Sequence, residues 1–363
     1  MSEEIVTAPK QIALLFPGQG SQTVGMGREF FESEPAARAV FEEADDALGF
    51  PLSRLIFDGP EEDLKLTEHT QPAILTMSIA VLRVLEPQLK ALGFAPAFAA
   101  GHSLGEYSAH VAAGTFSFAD AVRTVRARGQ FMQSAVPAGL GAMAAVLGLD
   151  PERINDICAA VSDELTQNPP ANPSDPAEQS EAVVSQMKDD SVDVTPAQAA
   201  SRVSTVVAPA NLNSPNQTVI SGEKSAVEVA VERLKEAGAS RTVMLSVSAP
   251  FHCALMQPAQ ERLANQLESV AFQDSTIPVV SNVDARLVRR GADARDALIR
   301  QVTGAVRWVE CINLLRNSGV TNYLEVGPGK VLTGLNRQID RALATVNIED
   351  KASLEKALAA LSA

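Results

Sequence analysis

Five consecutive apolar residues, Ile12–Phe16, run directly into Pro17-Gly18-Gln19-Gly20. An apolar run this short, with no polar position inside it and turn residues at its end, predicts a strand buried on both faces. Apolar positions at helical spacing predict helices over 30–48 and 71–92, and a second buried strand follows at 94–100. Gly101-His102-Ser103-Leu104-Gly105 comes next, and 104–113 has helical character that stops at Gly114. A further helical pattern runs from Phe118 towards Met132. The stretch Thr67-Glu68-His69-Thr70 is polar and reads as a loop.

The rhythm changes after Gly141. Strands are predicted at 142–148, 203–208, 217–221 and 241–247, with helices at 151–161 and 225–237. Pro151 suits the first turn of its helix. This βαββαβ order predicts a small ferredoxin-like lobe inserted in a larger α/β unit. Beyond it come a helix at 257–270, a strand at 279–281, a helix near 292–302 and a strand–turn at 323–329. The expected architecture is an α/β-hydrolase-like large domain, residues 1–137 and 248–363, interrupted by the small domain at 138–247.

One segment breaks the pattern. Residues 163–200 contain five prolines, no aromatic residue, and eight acids against one lysine. Such a composition cannot bury enough apolar surface to offset the entropy of ordering, so a mobile acidic loop is expected, with a short helix around 181–188 as an option. The loop is either a tolerated surface insertion or a partner-binding element.

Composition narrows the function classes. The chain has 363 residues, 46% apolar and 20% charged, with a formal net charge of −14. That acidity gives no general attraction for nucleic acid, whose binding rests on basic surface. No stretch reads as a membrane span and the start, Met1-Ser-Glu-Glu, has no basic–apolar leader pattern. Cys158, Cys253 and Cys311 show no metal or disulfide spacing, which suits a reducing compartment such as the cytoplasm. No metal site is expected.

The candidate chemistry centres on Gly101-x-Ser103-x-Gly105. A serine nucleophile projects from a tight strand–turn–helix elbow, and flanking glycines keep side chains out of the turn. The Leu104 N–H at the start of the following helix then faces a developing oxyanion. The serine needs a base, and the chain has four histidines. His102 adjoins the serine and points its side chain away from it. His110 lies about 10 Å along the helix by its rise. His69 sits in the polar stretch. His252, in Ala249-Pro250-Phe251-His252-Cys253 just after a strand, is left as the base. Arg128 is either a solvated cation like Arg123 and Arg126 or a bidentate clamp for a carboxylate, a geometry lysine does not offer. Cys253 reads as a buried structural thiol. Gly18-Gln19-Gly20 lacks the third glycine of a dinucleotide fingerprint, and Gly327-Pro328-Gly329-Lys330 lacks phosphate-loop spacing.

Phe16-Pro17-Gly18-Gln19-Gly20-Ser21-Gln22, Gly101 through Glu106, Asn213-Ser214-Pro215, Ala249 through His252 and Glu325 through Lys330 occur in an order that resembles the malonyl-CoA:acyl-carrier-protein transacylases, over roughly residues 11–158 and 203–345. The resemblance implies a ping-pong transfer of malonyl from malonyl-CoA to the phosphopantetheine thiol of acyl carrier protein, without a cofactor. It implies Ser103 as nucleophile, His252 as base, the Gln19 and Leu104 N–H groups as oxyanion hole and Arg128 on the malonyl carboxylate. The Gln301 backbone carbonyl would orient the histidine, and Asn211 and Asn213 would line the cleft. Leu104 with Phe251 resembles the malonyl-selective pattern of related polyketide acyltransferases. Anionic CoA and carrier protein imply a basic cleft mouth, for which Arg286, Arg289, Arg290 and Lys330 are candidates. Three alternatives stay open: a free-standing acyltransferase of a polyketide or malonate decarboxylase system, a serine hydrolase, and a non-catalytic interaction protein that retains the fold.

Overall fold

The computed structural model describes residues 11–167, 206–247 and 249–362. The chain is mixed α/β and is built around two sheets. Strand β1 (Ile12–Phe16) lies inside a six-stranded sheet and is buried along its whole length. It is flanked by β2 (Pro96–Gly101) and β9 (Asn322–Val326), with β10 (Ala344–Ile348) beyond β9 and β7 (Val279–Val280) and β8 (Leu287–Val288) beyond β2. All neighbours run parallel except the β7–β8 pair. The period-two geometry of a strand explains why β1 shows no polar position. Ile12, Leu14 and Phe16 enter one core, under helices α2 (Pro35–Leu48), α5 (Thr67–Ala91) and α7 (Phe118–Ser134), while Ala13 and Leu15 enter a second core with Trp308 and Leu332.

The second sheet holds β3 (Gly141–Leu147), β4 (Val207–Ser214), β5 (Gln217–Glu223) and β6 (Arg241–Met244), in the order β4-β5-β3-β6 with every pair antiparallel. Helices α8 (Pro151–Gln167) and α9 (Lys224–Glu236) cover one face, where Ala144, Val146 and Ile220 meet Ile154, Val161 and Val227. Met143, Ala145 and Val219 point the other way and join the large core with Phe251. The free edge of β4 is stitched to the segment after Arg300 by Leu212 N–H to Val306 O (2.9 Å) and Val306 N–H to Ala210 O (2.8 Å).

Several expectations shift. Helix α5 begins at Thr67, so His69 stands in its first turn rather than in a loop, while Pro72 lies inside the helix and leaves the Glu68 carbonyl without its helical donor. This helix is long and apolar enough to cross a membrane, but 78% of its most apolar stretch is buried inside the protein. Helix α8 runs on to Gln167, so the expected acidic loop starts no earlier than residue 168. The remainder of that loop, its optional helix at 181–188 and the first residues of the strand expected at 203–208 lie outside the described residues.

Candidate active site

The β1–β2 register pairs Phe16 with Gly101, so both strands end at the same level. The Pro17–Gly20 loop and the 102–104 turn therefore lie side by side at the carboxyl edge of the sheet, where open α/β sheets bind ligands. Two glycines make the turn possible. A Cβ on Gly101 would sit 1.9 Å from the Gly105 carbonyl carbon, and one on Gly105 would sit 2.0 Å from Phe16 O. Ser103 itself is forced to φ 51°, a conformation that costs a non-glycine residue about 1–3 kcal/mol.

Two side chains hold that strained residue. Asn282 Oδ1 accepts from Ser103 N–H at 2.7 Å while Asn282 Nδ2 donates to Gly101 O at 2.8 Å. Gln301 Nε2 donates to Ser103 O at 2.9 Å. Helix α6 (Gly105–Ala112) starts directly after the turn, with Leu104 as its N-cap residue. Among the described residues, neither the Leu104 nor the Gln19 backbone N–H meets an acceptor.

His252 approaches from the segment after β6 and also carries positive φ, 60°. Its Nε2 lies 2.7 Å from Ser103 Oγ, and its Nδ1 lies 2.9 Å from Gln301 O and 3.1 Å from Gly304 O. Carbonyls only accept, so Nδ1 carries the proton and Nε2 is the acceptor for the serine hydroxyl. Burial, reinforced by the Arg128 charge, pushes the imidazole down to about 3. At neutral pH the ring is the neutral base that the chemistry requires.

Arg128, on α7, is 2% exposed. Its Nη1 donates to Gln71 Oε1 (2.7 Å) and its Nη2 donates to Gln301 Oε1 (3.0 Å) and Ser103 Oγ (3.1 Å). The guanidinium carbon lies 5.4 Å from the Tyr107 ring centre. Among the described residues no carboxylate lies within ion-pairing distance of it. A buried cation without a partner is costly, and an anionic ligand relieves that cost. Burial accordingly lowers its pKa.

The structure thus brings Ser103, His252, Arg128 and Gln301 together. The role of Gln301 extends beyond the backbone carbonyl, since its amide joins Ser103, Arg128 and Glu106. Asn213 does not touch the dyad. It holds His102 Nε2 at 2.8 Å, with the His102 ring 5.6 Å from that of Trp308, so His102 is turned away from the nucleophile. Asn211 stands opposite Val306 in that stitch, whose two hydrogen bonds run through its neighbours Ala210 and Leu212. His110 is buried against Thr115 at 3.0 Å. Cys253 is buried, donates to Pro250 O, and burial raises its thiol pKa.

Of the cations considered for the cleft mouth, Lys330 follows β9 at the carboxyl edge, and Arg286 pairs with Asp284 beside the end of β7. Arg289 and Arg290 instead line a cavity of about 570 Å³ with Gln11, Ala97 and Pro278, at the opposite ends of the strands. The antiparallel turn from β7 into β8 carries them there, and that reversal was not visible in the sequence pattern. Sequence reasoning also missed Gln71, Glu106 and Asn282. Only Glu106 left a signal, as the single acid in the apolar helix that follows the nucleophile.

A family model for the acyl transferase domain matches residues 13–175. The chain is 45% identical over 351 residues to the malonyl CoA-acyl carrier protein transacylase of Bacillus subtilis, covering 97% of each chain. It is 44% identical to that of Escherichia coli K12, covering 96% of this chain and 99% of the relative. Among solved structures, an acyl carrier protein S-malonyltransferase from Vibrio cholerae superposes with a TM-score of 0.81 at 43% identity, covering 96% of this chain and 99% of that one. A malonyl-transacylase solved in complex with a type II polyketide-synthase acyl-carrier protein gives 0.82 at 41% identity, covering 97% and 100%.

Proposed function

The chain belongs to the malonyl CoA-acyl carrier protein transacylases, and from that premise we propose that it transfers malonyl from malonyl-CoA to the phosphopantetheine thiol of acyl carrier protein through a malonyl-serine intermediate. The observation that carries this reading is the buried, carboxylate-free Arg128 with Nη2 3.1 Å from Ser103 Oγ. A malonyl group on Oγ places its carboxylate carbon three bonds away, within reach of the guanidinium. An acetyl group leaves the cation unpartnered.

In the first half-reaction His252 Nε2 takes the hydroxyl proton as Ser103 Oγ attacks the thioester carbon. The carbonyl oxygen gains charge between the Gln19 and Leu104 N–H groups, whose hydrogen bonds strengthen as that charge develops. Collapse of the tetrahedral species breaks the carbon–sulfur bond, and CoA leaves as a thiol with the proton from His252. The carrier thiol then gives its proton to His252, attacks the malonyl ester and releases Ser103. No cofactor enters these steps, and malonyl-CoA is a substrate.

We read residues 1–137 and 248–363 as an α/β-hydrolase-like large domain and 138–247 as a ferredoxin-like insertion. The antiparallel order β4-β5-β3-β6 supports the second assignment. We place the reaction in the cytoplasm, in keeping with three unpaired, buried cysteines. Fatty acid synthesis is the pathway proposed, and the 41% identical transacylase solved with a polyketide carrier supports polyketide supply as the second reading.

Intact-mass measurement after mixing with malonyl-CoA tests the proposal. A malonyl adduct on wild type, absent from Ser103→Ala, is expected. Release of CoA and free malonate with no adduct and no transfer to carrier would instead identify a hydrolase. Presenting fatty-acid and polyketide carriers side by side separates the two pathway readings by their kcat/KM.

A further inference from the structure

We infer that Glu106 is the positioning residue of this site: one oxygen of its buried carboxyl group holds the Asn282 backbone and the Gln301 side chain, the two residues that fix the nucleophile, the base and the clamp. The inference rests on the transacylase reading and extends it to a residue outside the reacting atoms.

Glu106 lies in the first turn of α6 and is fully buried. Its Oε2 accepts from Asn282 N–H at 3.0 Å and from Gln301 Nε2 at 2.7 Å. These two partners come from segments remote in sequence, yet they converge on Ser103. Asn282 clamps the elbow on both sides, at Ser103 N–H and Gly101 O. Gln301 grips Ser103 O, accepts from Arg128 Nη2, and presents its own carbonyl to His252 Nδ1. A single acceptor atom therefore sets where Asn282 and Gln301 stand, and they set where Ser103, Arg128 and His252 stand.

The other oxygen, Oε1, is buried and has no hydrogen-bond partner among the described residues. Burial raises the carboxyl to about 7, while the two donors and the Arg128 charge pull it back. A buried acid kept in this state is expensive, and core packing alone would favour an apolar residue at this position. What an apolar residue cannot supply is the shared acceptor. Near-attack geometry is demanding, and a displacement of about 1 Å costs on the order of 10²-fold in rate.

Two conservative variants separate placement from charge. Glu106→Asp keeps the charge and withdraws the acceptor by one methylene. Glu106→Gln removes the charge and keeps an oxygen able to accept both hydrogen bonds. Placement predicts that E106D loses kcat by on the order of 10²-fold, with KM for malonyl-CoA within about threefold of wild type. E106Q should keep kcat within about threefold of wild type, even where its melting temperature falls. Rates are expressed per Ser103 titrated by malonyl adduct, so that unfolded protein does not enter the comparison. Retention of kcat in E106D, or an equal loss in both variants, would overturn the inference. So would changes confined to melting temperature or to KM. Failure of wild type to form a malonyl adduct would defeat the functional reading itself, a different result from any of these.

Discussion

Replacing Arg128 by methionine is the most direct test of why an arginine occupies the core beside a serine nucleophile. Methionine fills the space of the aliphatic stem but removes the guanidinium. Two losses follow. Gln71 Oε1 and Gln301 Oε1 lose their donors, which costs about 1–3 kcal/mol of stability for each acceptor left unsatisfied. The malonyl carboxylate loses its counter-charge in a site that is 2% exposed at this residue. Breaking one side of a buried ion pair costs about 3–5 kcal/mol. At about 1.4 kcal/mol per decade, kcat/KM for malonyl-CoA should fall by roughly 10² to 10³·⁵. Acetyl-CoA has no carboxylate, so its kcat/KM should change far less.

The assay follows CoA release and carrier acylation with both thioesters, in wild type and Arg128→Met. The decisive quantity is the malonyl-to-acetyl ratio of kcat/KM, which should collapse by on the order of 10². A second readout comes from the base. The Arg128 charge helps push His252 down, so its removal raises that pKa and moves the acid limb of the acetyl reaction to higher pH. Equal loss for malonyl and acetyl, with no movement of the acid limb, would show that Arg128 only holds Ser103 and Gln301 in place.

Three further outcomes are expected. His110 and His252 are both pushed down to about 3 by burial, so the unfolded chain binds protons below about 6.5 that the folded chain refuses. Stability is thus lost as pH falls from about 6.5 towards 3, by up to about 1.4 kcal/mol per pH unit for each histidine. Denaturant melts at pH 5 and 7 should show a smaller difference for His110→Asn than for wild type, and identical differences would sink the argument. Phe251→Ala should raise kcat/KM for methylmalonyl-CoA relative to malonyl-CoA by roughly 5- to 100-fold, as expected from about 1–3 kcal/mol for one methyl; an unchanged ratio would remove Phe251 from selectivity. Lys330→Glu should raise KM for the carrier, while Arg289→Glu and Arg290→Glu, at the other end of the sheet, should not; equal effects would mean the docking face lies elsewhere.

Much of the site was legible because its parts are local. The apolar run of β1, the elbow glycines and the start of α6 lie within short stretches whose geometry follows from chain sterics. Elimination among four histidines isolated His252. The parts that escaped are those made by long-range convergence. Gln71 and Asn282 stand on remote segments, and no periodicity says that they meet Arg128 and Glu106; Gln301 was named through the resemblance for its backbone carbonyl, but not for the side-chain bonds that join them. Strand β10 escaped because its residues are mostly half-buried at a sheet edge, which blurs the alternation a strand leaves in sequence. The start of α5 escaped because its polar first turn resembles a loop.

Serine hydrolases commonly set a carboxylate behind the histidine, whereas here two backbone carbonyls accept from Nδ1. The difference suits a thioester. A thiolate with a pKa near 8.5 leaves far more readily than an amine, so less is asked of the imidazolium as an acid. A charged carboxylate at Nδ1 would also sit near Arg128 and compete with the malonyl carboxylate for it. Neutral carbonyls fix the same tautomer without offering that competing charge. The buried carboxyl is instead set one step back, at Glu106, which hydrogen-bonds neither His252 nor Arg128 and reaches both through Gln301. Arg128 then remains unpaired until substrate arrives. On the transacylase reading, a malonyl carboxylate bound there offsets the part of the His252 depression that the Arg128 charge adds to burial, and so strengthens the base that acts on it. On that reading selection and activation become the same event, which gives a physical reason for burying a cation without a carboxylate partner next to the nucleophile.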